Sequence, residues 1–205
     1  RYFVVNQMIC PGVMLVFKEG QKSYGDLPLR VADLGVVHRQ ELSGVLGGLF
    51  RVIKFTQDDA HLFCTEDQLE EEITGVMNMV INFFKKFNLE FDHLELSTRP
   101  EKRIGEDHIW DKAERLLEKV LIANGVKYKI NSGDGAFYGP KIDFHLKDSL
   151  GRTWQCSTIQ LDFSMPERFE LEYVGSDGQM HRPVMLHRVI YGSMERFIGI
   201  LLEHT

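Results

Sequence analysis

An α+β fold, a mostly antiparallel sheet flanked by helices, is what this sequence predicts, and three observations carry it. Segments of strand character come in two groups, with two amphipathic helical patterns between them and one more at the end, an order that sets helices against an antiparallel sheet. Ile142, Phe144 and Leu146 alternate with Asp143, His145 and Lys147, the period-two signature of a half-buried strand. Glycine-studded connections join the extended segments.

The chain opens on the apolar run Tyr2-Phe3-Val4-Val5, a strand-like start. Pro11 and Gly12 follow, and residues 13–24 read as a short helix with proline near its beginning, where the missing N–H costs little. Residues 29–39 and 50–64 are rich in β-branched and apolar side chains, and the segment 41–48 reads as a long flexible loop between two strands. Thr65 and Gln68 form a capping box. Leu69, Ile73, Val76, Met77, Val80, Ile81 and Phe84 then recur at helical spacing as far as Phe87-Asn88, a stripe that belongs to the core rather than to a cofactor. Residues 93–97 read as a strand. Ile109, Ala113, Leu116, Leu117, Val120 and Leu121 mark a further amphipathic helix, stopped by Asn124-Gly125. After residue 126 the character is antiparallel β: a strand at 142–146, a hairpin turn at 149–152, and strands over 154–163, 169–174 and 183–191. Gly192-Ser193 caps a closing helix that runs through residue 202.

With 205 residues, no internal repeat and no linker, the chain is expected to form one domain over 1–205 around a single core. A charged fraction of 26% and a hydrophobic fraction of 43% are those of a soluble globular protein. No apolar run approaches the roughly 18 residues that span a bilayer, so no membrane partner is expected. Cys10, Cys64 and Cys156 are too scattered for a disulfide scaffold, which favours a reducing, cytoplasmic compartment. A net charge of −6 argues against a generally basic nucleic-acid surface, though it leaves room for a local basic cleft. Because Arg1 runs straight into an apolar stretch, the chain reads as a fragment of something larger.

Cys10, His61 and His187 form a dispersed set of possible zinc ligands. A thiolate and two imidazoles leave a fourth zinc position open, which suits a metal that meets a substrate. Taken singly, each is more often a packing residue than a ligand. No glutamate stands beside them in an HExxH pattern, which disfavours a zinc hydrolase. Arg39 and Glu41 end one strand of the looped pair, and Arg51 opens the other. Such a loop can clamp a triphosphate between guanidinium groups, with Glu41 accepting from a base amine and Phe55 stacking on the ring; a solvated Arg39–Glu41 pair is the alternative. At Gly192-Ser193-Met194-Glu195-Arg196 a strand-to-helix turn places an arginine in the first helical turn, against the helix dipole, a setting suited to a phosphate. The loop 133–141 carries Tyr138 and Lys141 into the following strand; turn-making explains its glycines but not those two side chains.

Several long strings resemble the threonyl-tRNA synthetase family: His38-Arg39-Gln40-Glu41-Leu42-Ser43-Gly44, Phe55-Thr56-Gln57-Asp58-Asp59-Ala60-His61, Ser97-Thr98-Arg99-Pro100-Glu101-Lys102, Gly135-Ala136-Phe137-Tyr138-Gly139-Pro140-Lys141-Ile142, 154–163 and Gly192-Ser193-Met194-Glu195-Arg196-Phe197. The resemblance covers essentially the whole chain. It implies a class II synthetase catalytic core that binds ATP with magnesium and zinc and forms an aminoacyl-adenylate, with threonine, ATP and tRNA(Thr) as partners and a homodimeric family. Position by position, it implies that Arg39, Glu41, Arg51, Phe55, Gln155 and Arg196 bind ATP, and that Arg39, Lys141 and Arg196 are catalytic. It further implies that Met8, Gln57, Asp59, Tyr138 and Lys141 meet the amino acid, and that Cys10, His61 and His187 hold zinc. The metal makes physical sense there: an apolar pocket separates near-isosteres such as valine and threonine by only about a hundredfold, whereas a zinc that takes the hydroxyl as ligand rejects valine. Serine keeps that hydroxyl and would need editing elsewhere.

The sequence departs from the family at Asn6, Gln7, Ile9 and Val13 around Cys10, and at Gln40, Ile53 and Val189. A core that binds threonine, ATP or an inhibitor without efficient turnover is the alternative expectation. The first class-defining motif, which builds the family's dimer interface, is expected before Arg1, and the editing and anticodon-binding regions outside the chain.

Overall fold

The computed structural model describes residues 8–204, so the strand-like start at 2–5 and the departures Asn6 and Gln7 lie outside the described residues. In chain order the elements are α1 (Cys10–Lys18), β1 (Lys22–Ser23), β2 (Leu29–His38), β3 (Lys54–Cys64), α2 (Leu69–Lys85), β4 (Phe91–Ser97), α3 (Asp107–Ala123), β5 (Tyr128–Asn131), β6 (Lys141–Lys147), β7 (Thr153–Asp162), α4 (Ser164–Arg168), β8 (Tyr173–Val174), β9 (Met180–His181), β10 (Val184–Val189) and α5 (Met194–His204). Seven strands form the main sheet in the order β2-β3-β10-β7-β6-β4-β5, antiparallel throughout except at the β4–β5 edge. A small second sheet joins β1, β8 and β9.

Strand alternation gives this sheet two unlike faces. Ala60, Leu62 and Cys64 of β3, Ile142, Phe144 and Leu146 of β6, and Ile159 and Leu161 of β7 pack beneath α2, α3 and α5 in the main core. Phe63 and Met185 belong to a separate cluster with Val13, Met14 and Phe17, by which α1 sits across the other face. The remainder of that face carries the polar residues considered below. Among the described residues no helix is long and apolar enough to cross a membrane.

The expected elements differ from the observed ones at four places. The first helix begins at Cys10, with proline in its first turn, and ends early because Glu19 turns extended and Gly20 takes φ +72°. The second long strand starts at Lys54, since Gly47 to Arg51 closes a turn in which the Arg51 amide donates to the Gly47 carbonyl at 3.2 Å. Residues 128–131, beyond the second long helix, add a parallel strand at the sheet edge, so the second half of the chain is not wholly antiparallel. The span 169–174 is mainly the exit of α4: the amides of Phe169 and Leu171 bond back to Met165 and Pro166, and only Tyr173–Val174 is strand. At the capping box the Thr65 amide donates to Gln68 Oε1 at 3.0 Å, as expected, with one 3₁₀ turn at Glu66–Gln68 before α2.

Candidate active site

Strand β3 builds the open face. Its alternation sends Phe55, Gln57, Asp59 and His61 to the side away from the main core. Two adjoining cavities lie over this row. One, of about 180 Å³, is lined by all six residues that the resemblance assigns to ATP: Arg39, Glu41, Arg51, Phe55, Gln155 and Arg196. The other, of about 120 Å³, is lined by Met8, Cys10, Gln57, Asp59, Tyr138 and His187 among others. Arg39, Gln57, Thr158, Gln160 and Val189 line both, so the two are one continuous cleft. Lys141 is not among the described residues lining either. It stands on β6 with its ammonium 2.8 Å from Asp143 and 3.2 Å from Asp134.

The larger cavity is cationic. Arg39 lies over the Phe55 ring at 5.3 Å, so Phe55 is itself covered. Glu41 holds Arg51 at 3.0 Å. Arg196 donates from Nε to the Phe50 carbonyl at 2.8 Å and from Nη1 to the Gln155 carbonyl at 2.7 Å. A guanidinium has five N–H donors, so three remain for a ligand. Burial pulls the Arg196 guanidinium below its ordinary value. Arg196 is held in place by the turn before α5: the Ser193 hydroxyl caps the Arg196 amide at 3.2 Å, and Glu195 accepts the Thr56 amide at 3.0 Å.

At the wall of the smaller cavity Cys10, at the start of α1, and His187 meet a second imidazole, His61, which is not itself among the residues lining either cavity. His61 and His187 are directly opposed in the β3–β10 ladder, with ring centroids 4.9 Å apart. One donor atom from each of Cys10, His61 and His187 lies within 4.8 Å of the others, and all three residues are buried. Cys10 Sγ stands 3.4 Å from His187 Nδ1, close to the roughly 3.5 Å between a sulfur and a nitrogen on one tetrahedral zinc. His187 Nε2 donates to Asp162 at 3.0 Å, the carboxylate–imidazole pairing that orients metal-bound histidines. His61 Nε2 is buried without a hydrogen-bond partner. Burial, reinforced by His187 and Arg188, pushes the His61 ring down to about 3, so it is neutral and offers a lone pair. Burial also disfavours a charged His187 ring, but its bonds to Asp162 and Cys10 prevail and raise it to about 10. An orphaned imidazole, a thiol and an oriented second imidazole fit zinc. Burial pushes the neighbouring Asp59 carboxyl up to about 6. Magnesium, which seeks oxygen ligands, meets no carboxylate cluster in the arginine-lined cavity among the described residues; it would arrive on the phosphates.

Several participants escaped sequence reasoning. Asp162 joins His187 to α4, its other oxygen accepting the Ser164 and Met165 amides at 2.9 and 2.8 Å. Asp143, fully buried, gathers Lys141, Ser97, Gln155 and Thr158 at 2.6 to 3.0 Å. Gln160 accepts from the Tyr138 hydroxyl. Asp58 accepts the Ile190 and Tyr191 amides at 2.8 and 3.1 Å, fixing the strand end that leads to Arg196. Of the departures from the family, Ile9 lies over Gly35, where an added Cβ would stand 1.9 Å from its Cδ1. Val13 is on the buried face of α1, Val189 lines both cavities, Gln40 is exposed and half of Ile53 is accessible.

The whole chain, residues 1–205, matches the family described as tRNA synthetase class II core domain (G, H, P, S and T). Among curated relatives it is similar to the threonine–tRNA ligase of Caldanaerobacter subterraneus subsp. tengcongensis, 64% identical over 98% of this chain and 31% of that protein. It is likewise similar to the threonine–tRNA ligase of Acetivibrio thermocellus, 62% identical over 98% of this chain and 32% of that protein. The chain thus spans about a third of the length of the curated relatives it matches. Among solved structures it is similar to the RNA binding domain of threonyl-tRNA synthetase from Cryptosporidium parvum Iowa II, with a TM-score of 0.93 and 46% identity over 97% of this chain and 50% of that one. A prolyl-tRNA synthetase from Giardia lamblia, at TM-score 0.70 and 14% identity over 97% of this chain and 33% of that one, shares the fold.

Proposed function

Since the chain belongs to the class II tRNA synthetase core-domain family, we propose that it activates threonine with ATP as the core of a cytoplasmic threonine–tRNA ligase, for transfer to tRNA(Thr). The observation that carries this reading is the continuity of the cleft: a pocket walled by Cys10 and His187, with His61 packed against them, opens through Arg39, Gln57, Thr158 and Gln160 into an arginine-lined one. An amino acid in the first and a nucleoside triphosphate in the second meet at that shared wall.

A carboxylate oxygen of threonine attacks the α-phosphorus. A new P–O bond forms, the bond to the bridging oxygen breaks, and pyrophosphate leaves with its electron pair. No proton has to move between heavy atoms, so the chain's task is to position and to neutralise charge. Arg39 and Arg196 face the phosphates with N–H donors that are not spent on the protein. Glu41 and Arg51 hold one another at the nucleotide end. Gln57 and Asp59 face the amino acid from β3, and Tyr138, tied to Gln160, closes the far wall. Asp143 keeps Lys141 charged, since its attraction outweighs the burial that opposes the ammonium, and it holds Gln155 against the cleft floor. Zinc, when bound by Cys10, His61 and His187, supplies a Lewis-acid centre for the amino and hydroxyl groups of threonine, and so a basis for rejecting valine.

Threonine-dependent ATP–pyrophosphate exchange tests this. Exchange with threonine above valine is expected, and Arg196→Ala is expected to slow it about 100-fold or more, the scale of a lost charge-stabilising donor. Cys10→Ser is expected to lose both zinc and exchange. Wild-type exchange in a metal-free Cys10→Ser protein overturns the reading. Threonine binding by calorimetry without exchange favours the binder that turns over poorly, for which the apolar Ile9 and Val13 beside Cys10 are the structural argument.

A further inference from the structure

We propose that the protein carries a transition-metal site of its own on β4 and β6, made by His93, Glu95 and His145 and suited to a borderline divalent cation such as Zn²⁺. None of the three lines the cleft. His93 and His145 are directly opposed in the antiparallel ladder, and register shifts fall beside both, between Phe91 and His93 on one pairing and between Asp143 and His145 on the other. Such irregularities re-aim side chains. Here they leave the two imidazoles stacked, with centroids 4.5 Å apart and planes 5° apart. Both Nε2 atoms face one carboxylate: His93 Nε2 is 3.1 Å from Glu95 Oε1, and His145 Nε2 is 3.5 Å from Glu95 Oε2. Two nitrogen or oxygen ligands on one tetrahedral zinc stand about 3.3 Å apart, between those two values. One donor atom from each residue lies within 4.8 Å of the others.

The surroundings prepare these atoms for a cation. His93 Nδ1 bonds Asp92 at 2.6 Å, and Asp92 is itself paired with Lys147. Asp92 thus engages the Nδ1 side of the ring and orients it, so that Nε2 faces Glu95 at 3.1 Å. His145 Nε2 is buried and has no hydrogen-bond partner, the kind of orphan that calls for an explanation. The Asn131 amide holds Glu95 Oε2 at 2.9 Å. Side-chain exposures of 16 to 19% leave the site within reach of solvent, which can supply a fourth ligand. Two imidazoles exclude a preference for magnesium or calcium.

The test titrates Zn²⁺ into metal-stripped wild type and the His93→Gln/His145→Gln double variant, with a chelator competitor. The double variant is expected to lose one equivalent relative to wild type, and His145→Ala to weaken that equivalent by at least about 10- to 100-fold. With Co²⁺ as probe, the lost equivalent is expected to show ligand-field bands without thiolate charge transfer, which separates it from any ion at Cys10 and holds whether or not the Cys10 pocket binds metal. Equal stoichiometry and affinity in wild type and double variant, or a thiolate signature on the lost equivalent, overturns the proposal. If the variants unfold, Co²⁺ titration of the wild type alone decides: an equivalent with ligand-field bands and no thiolate charge transfer is expected, and its absence overturns the proposal.

Discussion

Gly192→Ala isolates the contact that positions Arg196. Gly192 has φ +76°, and a Cβ there would lie 2.4 Å from the Cys156 carbonyl oxygen, a backbone atom of β7. The left-handed conformation costs an alanine about 1–2 kcal/mol. Relief of the clash needs a retreat of roughly 1 Å, and such overpacking costs about 1–3 kcal/mol. Reduced freedom of the unfolded chain returns about 0.4–1 kcal/mol. The net loss is then about 1–4.5 kcal/mol, or roughly 2–18 °C in Tm for a chain of this length. Gly133→Ala is the control, since Gly133 has φ +83° but no atom within 4 Å of its added Cβ; it is expected to lose only about 0–1.5 kcal/mol. The activity should separate the two further. The retreating turn carries Ser193, which caps Arg196, and a displacement of about 1 Å in a phosphate-positioning group costs up to about 100-fold in rate. Urea unfolding and threonine-dependent pyrophosphate exchange, run on both variants, check this. Equal stabilities of the two variants, or exchange by Gly192→Ala at the Gly133→Ala rate, would show that the close approach to Cys156 does not set the position of Arg196.

Two further outcomes follow from the same geometry. Burial pushes the thiols of Cys64 and Cys156 up to about 12, which leaves roughly one thiolate in ten thousand at pH 8; alkylation with peptide mapping should find both unlabelled until the protein unfolds, and labelling at the unfolded rate in native protein contradicts their burial. Asp162→Asn should weaken zinc about 10- to 100-fold. Its Oδ1 still caps α4, but its amide now donates toward His187 Nε2, which forces the ring proton onto Nδ1, the nitrogen that faces Cys10; chelator competition that moves the zinc affinity less than twofold refutes this account.

What could be read from the sequence was whatever a single strand encodes. Phe55, Gln57, Asp59 and His61 are spaced by two, and a strand over them sets all four on one face; the capping box at Thr65 and Gln68 marks the turn just before α2. The opposing strands were harder. Asp143, Asp162 and Asp58 are carboxylates in strands, a pattern that normally means solvent, and their burial depends on partners 15 to 132 residues away. The glycines of the loop 133–141 carried a signal that turn-making hid. Gly133 does take a positive φ, but Gly135 and Gly139 are needed because an added Cβ would strike the carbonyls of Thr98 and Leu161 at 2.6 and 1.7 Å. A span such as 169–174 has strand-like composition yet folds as a helix exit, because the Asp162 cap at its start outweighs composition.

Both histidine-containing clusters arise from the same local rule and differ in the third donor. Opposed residues in an antiparallel ladder have Cβ atoms about 4.5–5.5 Å apart, so a pair of facing histidines brings two imidazoles close with no help from the rest of the fold: His61 with His187, and His93 with His145. Glu95 then comes from two residues along the same strand, and that cluster belongs to the sheet alone. Cys10 comes instead from the first turn of α1, which packs on Phe63 and Met185, the residues two places from each histidine on the same face. The packing that seats α1 therefore also sets the distance from sulfur to imidazole. A change under the helix, as at Val13 or Met14, reaches the donor set through the backbone, whereas the β4–β6 cluster is insulated from it. The end of the cleft at Cys10 is thus only as rigid as one nine-residue helix, while the arginine-lined end is fixed by strands and by the turn at Gly192.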